Sequence, residues 1–365
     1  MKPVFNFIEM KLTFTYFVIF LIIVHLKLQS QSLEQKIDSL LGTTYNSHEP
    51  GAVFLAAKKG TVFYSKALGV SNLELKTPIS VNNVFEIGSM TKQFTAVAVL
   101  ILEEKGKLSV HDELTKYIPS YPTHGQKITL HHLLTHTSGI KNFTNMKQLN
   151  SIAQKEMTPL ELIDFFKNEP MDFNPGEQFR YSNSGYVLLG YVIEKVSGMS
   201  YADFIEQYIF KPIKMNASYY ANHHTIIPNR AYGYLKNNTF INKKYISYSI
   251  PYASGSLMST VNDLFTWQLA IKNNLLISKK STQKVFTNYT LNNGDFINYG
   301  YGWHVKTDNQ HLVYEHGGSI FGFKSMGVYL PELDIYVVGL TNCSCNSPTK
   351  ITRQIATLIS ESITD

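Results

Sequence analysis

The sequence predicts an α/β (α+β) fold: a mainly antiparallel sheet built from N- and C-terminal segments, with flanking helices, plus a mostly helical inserted domain. Three observations carry this. β-rich runs punctuated by turn residues lie at both ends of the chain, around 51–70 and again beyond Tyr301. Between Val110 and Pro251 the apolar spacing is mostly helical. Hydrophobic residues make up 44% of the 365-residue chain and aromatic ones 13%, enough for a sizeable core, and with 16% charged residues the composition excludes disorder over most of its length.

The elements follow in order. Lys2 and Lys11 precede an apolar run over 12–26, and a polar stretch follows Lys27, which is the pattern of a secretory signal peptide over residues 1–30. The run is short of the roughly 20 residues that a spanning helix needs, so a retained N-terminal anchor is the lesser alternative. The runs within 51–70 are joined by Lys-Lys-Gly, a hairpin signal. A helix over 89–105 ends at Gly106, and helical patterns follow at 129–134, 158–168, 185–196 (closed by Gly198) and 201–209. Beyond Pro251 come a helix at 260–273, strands at 301–306, 311–316, 322–330 and 335–342, and a closing helix at 348–363. Residues 33–109 and 251–365 would thus form the α/β part and 110–250 the helical insertion of one domain, 33–365.

The formal net charge of +6 is spread along the chain without a Lys/Arg cluster, which gives no case for nucleic acid. Cys343 and Cys345 are the only cysteines. Two residues apart on a strand, they would close a small strained ring, so free thiols near a strand end are expected. An exported chain with so few cysteines relies on its core for stability.

Ser89-Met-Thr-Lys92 is the stretch richest in chemistry. Residues three apart share a helix face, so Lys92 would point back at the Ser89 hydroxyl, at a helix N-terminus that favours developing negative charge. Tyr181-Ser-Asn183 adds a phenol that could move a proton and an amide that could hold a substrate and orient Lys92. His316-Gly317-Gly318-Ser319, at the end of a predicted strand, would let a ligand backbone come close, and the Ser319 N–H could join that of Ser89 as an oxyanion hole. His132 and His136 sit four apart, but the segment lacks the Glu of an H-E-x-x-H site, so a structural role in the wall of the site is expected and no metal.

Ser89-x-x-Lys92, Tyr181-x-Asn183 and a His-Gly-Gly triplet, in this order, resemble the serine β-lactamase and penicillin-binding-protein superfamily, and above all its class C β-lactamase-related serine hydrolase branch. Leu-Leu-Thr-His-Thr-Ser-Gly at 133–139 supports the resemblance, which spans 33 to the C-terminus. It implies Ser89 as acylated nucleophile, Lys92 as its base, Tyr181 as proton relay and Asn183 as a contact for the acyl amide. Ser89 and Ser319 would supply the oxyanion hole, with no cofactor. It also implies an exported hydrolase, periplasmic or secreted, acting on an ester, amide or peptide, possibly of the cell wall. A D-Ala-D-Ala carboxypeptidase or weak β-lactamase is the alternative, and a non-catalytic cell-wall binding protein the outside one. The departure is His316: penicillin-recognising relatives commonly carry Lys-Thr-Gly there. A histidine of ordinary pKa, about 6.5, is mostly uncharged at neutral pH, and Gly317 lacks a hydroxyl. The clamp for a substrate carboxylate is thereby weakened.

Overall fold

The computed structural model describes residues 31–308 and 310–364, together with Tyr16. Apart from Tyr16, the expected leader at 1–30 lies outside the described residues, among which no helix is long and apolar enough to cross a membrane.

Helix α1 (Leu33–Gly42) starts at a capping box in which Ser32 and Gln35 satisfy one another's backbone N–H groups. The expected hairpin follows as β1 (Ala52–Lys58) and β2 (Thr61–Leu68). Short strands β3 (Val70–Asn72), β4 (Thr77–Pro78) and β5 (Phe85–Glu86) lead into α2 (Thr91–Glu104). Residues 110–250 contribute α3 (Leu130–Leu134), α4 (Leu149–Ile152), α5 (Pro159–Phe166), α6 (Asn183–Ser197) and α7 (Tyr201–Ile205), then strand pieces β6 (Tyr219–Tyr220), β7 (Tyr234–Lys236) and β8 (Phe240–Asn242). The chain returns through β9 (Leu257–Ser259), α8 (Val261–Lys272) and α9 (Lys279–Phe286). It closes with β10 (His304–Asp308), β11 (His311–Ile320), β12 (Phe323–Leu330), β13 (Ile335–Thr341) and α10 (Thr349–Thr364).

The main sheet has the order β10-β11-β12-β13-β1-β2 and is antiparallel throughout, so both ends of the chain build it, as the sequence predicts. Both of its faces are covered. Along β1, Val53, Leu55 and Ala57 pack into the larger core shared with α2 and the insertion, while Ala52, Phe54 and Ala56 pack under α1 and α10. A strand buried on both sides reads as a continuous apolar run, as this one does. Helix α2 is buried on every side from Thr91 to Leu102, which makes it the axis of the molecule.

Three differences from the sequence expectation have local causes. Strand β11 does not stop at His316 but runs on to Ile320, pairing Gly317 with Met326 and Ser319 with Lys324. The paired glycines are therefore inside the ladder. The helix expected over 201–209 changes after Ile205 into one wider turn, Glu206–Phe210, with i→i+5 bonding. Cys343 and Cys345 are joined in a disulfide rather than free. The chain turns at Ser344–Cys345 after β13, which brings their Cα atoms to 5.1 Å, within reach of a bridge.

A buried ion cluster ties the insertion to β5. Glu86 is 2% exposed, pairs with Lys243 and accepts a hydrogen bond from the Tyr248 hydroxyl at 2.6 Å. Arg230 donates to the same hydroxyl at 2.5 Å and stands 3.9 Å from the Glu86 carboxylate.

Candidate active site

The site is built at the turn between β5 and α2. Gly88 adopts φ +52°, in the left-handed region that favours glycine. A side chain there would also press on Ser319, whose N would lie 2.9 Å from the added carbon. Gly318 is tighter still: its added carbon would fall 1.9 Å from the Ile87 carbonyl oxygen. The absence of both side chains lets β11 pass backbone to backbone against this turn. The Ser325 hydroxyl locks the contact by donating to the Ile87 carbonyl at 2.7 Å. Ser89 and Ser319 are thereby brought to one cleft, which both line.

Lys92 lies one turn along, completely buried, and its Nζ has three neighbours of accepting type. These are Ser89 Oγ at 3.2 Å, Asn183 Oδ1 at 2.8 Å and the Ser254 carbonyl at 2.8 Å. Burial holds its pKa well below the ordinary lysine value, and no carboxylate offsets that effect. A neutral amine fits the geometry. Its two N–H bonds serve Asn183 and Ser254, and its lone pair faces the Ser89 hydroxyl.

Tyr181 comes from the loop before α6. Its ring lies 4.8 Å from the Lys92 ammonium position, and its hydroxyl faces Ser89 yet is buried with no hydrogen-bond partner. Burial pushes this phenol up, and the facing Ser89 hydroxyl works against the shift. Asn183, at the start of α6, is held on every side. Its N–H donates to Asn142 Oδ1 at 3.0 Å and its side-chain amide donates to Thr144 at 3.0 Å, so its Oδ1 is fixed toward Lys92.

His136 sits behind Tyr181, outside helix α3, with φ +60°. Its carbonyl accepts from the Arg180 N–H at 2.9 Å and its Nδ1 from the Ser182 N–H at 3.2 Å, while its ring packs 4.3 Å from that of Tyr181. It clamps the backbone on both sides of the tyrosine. Accepting at Nδ1 requires the neutral ring. Burial keeps its pKa far below the usual histidine value. His132 instead closes the helix start, its own Nδ1 accepting from Thr129 N–H at 3.2 Å. His132 and His136 are thus each held by a backbone N–H of their own surroundings, and among the described residues no group of three or more His, Cys, Asp or Glu is placed to hold a metal ion.

His316 is placed differently from what its motif suggests. Its ring is 2% exposed, lies outside the cleft lining, and is held by the Gly317 carbonyl (2.6 Å) and the Tyr299 hydroxyl (3.2 Å). Burial, with His304 and Lys92 nearby, keeps it neutral far below the ordinary histidine range. The expectation from its motif that His316 binds the substrate is therefore not met: the ring is buried away from the cleft. Gly317 and Gly318 likewise serve the packing of β11 and expose no lining group.

The cleft above Ser89 has a volume of about 340 Å³ and is walled by Phe143, Leu149, Ile246 and Ile250 on one side and the β11–β12 turn on the other. A hydroxyl and two serine backbones at the cleft, with a buried amine and a buried phenol directly behind that hydroxyl, form an arrangement that can carry out acyl transfer. The sequence did not single out Ser254, which acts through its backbone carbonyl, a group every residue has. Asn142 and Thr144, which fix Asn183, were also missed.

A family model described as beta-lactamase matches residues 33–358. A penicillin-binding protein of Bacillus subtilis is 34% identical over 313 residues, covering 81% of this chain and 69% of that protein. Protein flp of Staphylococcus aureus is 29% identical, covering 89% and 66%. The chain thus spans about two thirds of the length of these relatives. Among solved structures, an octameric penicillin-binding protein homologue from Pyrococcus abyssi superposes with a TM-score of 0.76 at 31% identity, covering 90% of this chain and 77% of that one. With the match running from α1 into α10 and so enclosing the whole Ser89 cleft, the chain belongs to the beta-lactamase family, within the superfamily of serine β-lactamases and penicillin-binding proteins.

Proposed function

We propose that the protein is an exported serine hydrolase that acts on an ester or amide through an acyl-enzyme at Ser89. Neutral Lys92 takes the Ser89 proton as Oγ attacks the carbonyl carbon, and the resulting oxyanion is met by the N–H groups of Ser89 and Ser319. The Tyr181 hydroxyl passes a proton from the Lys92 ammonium to the departing alcohol or amine, so the C–O or C–N bond breaks without a charged leaving group. Water then enters along the same path. It loses its proton to Lys92 and attacks the acyl carbon, and Ser89 leaves with a proton. Asn183 holds the base and lies beside the acyl group. Residues 1–30 are read as the export leader or an anchor, and 110–250 as the insertion that forms one wall of the site.

The observation that supports this reading most is Lys92, a buried amine with no anion and with Ser89 3.2 Å away. Strongly shifted ionisable groups in clefts mark functional sites. The decisive experiment weighs the protein after incubation with a fluorophosphonate and with a penicillin, beside Ser89→Ala. Labelling of the unmodified protein alone supports the proposal. Labelling by neither reagent, with ester turnover unchanged in Ser89→Ala, would sink it. Stable labelling by penicillin would move the assignment to a D-Ala-D-Ala carboxypeptidase or other penicillin-binding-type peptidase.

A further inference from the structure

We infer that the cleft selects substrates with an uncharged, apolar acyl group, of the size of a medium-chain aliphatic or arylalkyl chain. It would discriminate against substrates that present a free carboxylate or a free amino group. This rests on the acyl-transfer reading of Ser89 and names the substrate class of that site.

The argument starts from the walls. Phe143, Leu149, Ile246 and Ile250 of the insertion face the cleft from one side, and Ile320 and Phe321 of the β11–β12 turn from the other. Among the described residues that line it, none is Lys, Arg, His, Asp or Glu. A carboxylate entering this space finds no cation, because Lys92 is committed to Ser89, Asn183 and Ser254 and His316 is buried behind the strand. An ammonium group finds no anion. Several of the lining polar groups are already engaged. Thr144 accepts from Asn183 at 3.0 Å, the Ser254 hydroxyl donates to the Pro251 carbonyl at 2.6 Å, and Ser344 accepts from the Gly322 N–H at 3.0 Å. Charge placed here would exchange its hydration for hydroxyl contacts alone, with no counter-ion, whereas apolar surface gains. The volume, about 340 Å³, exceeds twice the ~150 Å³ of an apolar cavity that holds benzene, so it takes a chain and not only an acetyl group.

The test is a kinetic series on the full chain with 4-nitrophenyl acetate, butyrate, hexanoate and octanoate, a 4-nitrophenyl hemisuccinate bearing a carboxylate, and D-alanine 4-nitroanilide bearing an ammonium. kcat/KM is expected to rise about fourfold per methylene up to the longer chains, and the hemisuccinate to fall at least tenfold below the butyrate. Phe321 lies 40% exposed at the rim, so Phe321→Lys leaves the fold intact and places a cation at the mouth. It should narrow the gap between hemisuccinate and butyrate by about tenfold. A flat chain-length profile, or faster turnover of the charged substrates by the unmodified protein, overturns the inference while fluorophosphonate labelling of Ser89 keeps the acyl-transfer reading. Absence of both labelling and turnover overturns the two together.

Discussion

Glu86 and Lys92 stand on either side of the Gly88 turn, both withdrawn from water, and the molecule treats them oppositely. Glu86 is surrounded: Lys243 pairs with it, Tyr248 donates to it, and Arg230 stands at 3.9 Å. Lys92 has hydroxyl, amide and carbonyl oxygens around it but no anion. A buried charge with a partner holds structure together, while a buried base without one is kept neutral and ready to accept a proton. The contrast separates the part of this turn that fixes the chain from the part that could react. It also shows where stability is spent. Lys243 itself is shifted down by burial, and the Glu86 carboxylate beside it works against that shift.

The strongest way to break the comparison is Lys92→Met, which is expected to lower kcat/KM on the order of 10³-fold, the range of a general base. Steady-state kinetics on a 4-nitrophenyl ester checks this, and retention of more than a tenth of the rate would remove Lys92 as base. Glu86→Gln should do the reverse. It leaves Lys243 and Arg230 without their anion and should cost about 3 kcal/mol in urea unfolding, with Lys243→Met recovering part of that loss in the double variant.

The pH profile sharpens the same contrast. Acyl transfer needs the neutral amine, so kcat/KM should climb with pH through the lowered Lys92 pKa and level off well below the ordinary lysine range. Stability follows the same direction. Between the lowered folded pKa and the higher unfolded one, the unfolded chain binds more protons. Lys92 therefore favours the fold less as pH falls through that window. His316 and His136, neutral far below the usual histidine range, should add no inflexion near pH 6.5. An inflexion there that His316→Asn abolishes would return a charge to the site. The smallest effect is expected at His136. His136→Ala should lower kcat about tenfold with KM little changed, because the Ser182 N–H loses its Nδ1 acceptor and Tyr181 its ring neighbour, while the backbone bond to Arg180 stays. His136→Asn, which can place an oxygen near the Nδ1 position, should restore most of it.

How much of this was legible depended on distance along the chain. Ser89 and Lys92 are a local pair whose geometry follows from helical spacing, and the β1–β2 hairpin was marked by Lys59-Gly60, both at positive φ. The antiparallel sheet from both termini was likewise legible, because buried strands read as apolar runs. What escaped is held by contacts between distant segments. Nothing near Glu86 announces Lys243, and nothing near Lys92 announces the Ser254 carbonyl. His316 misled because sequence shows a side chain but not its depth. Once β11 continues to Ile320, the residue at its centre turns inward and Ser319 becomes the one at the cleft. The cysteines misled for the opposite reason, since a turn after β13 shortened a spacing that an extended strand would have kept open.

The register of β1 against β13 has a consequence for how the protein is made. Gly51 N–H is held by the Asn342 side chain, 291 positions later, and Ala52 faces Thr341. At about 5–20 residues per second of synthesis, β1 leaves the ribosome roughly 15–60 s before its partner. During that interval β2 can guard one edge of Ala-Val-Phe-Leu-Ala-Ala while the other edge stays open, an aggregation hazard on a nascent chain. Nascent copies would be safest when an additional factor shields that edge until β13 emerges to pair with it.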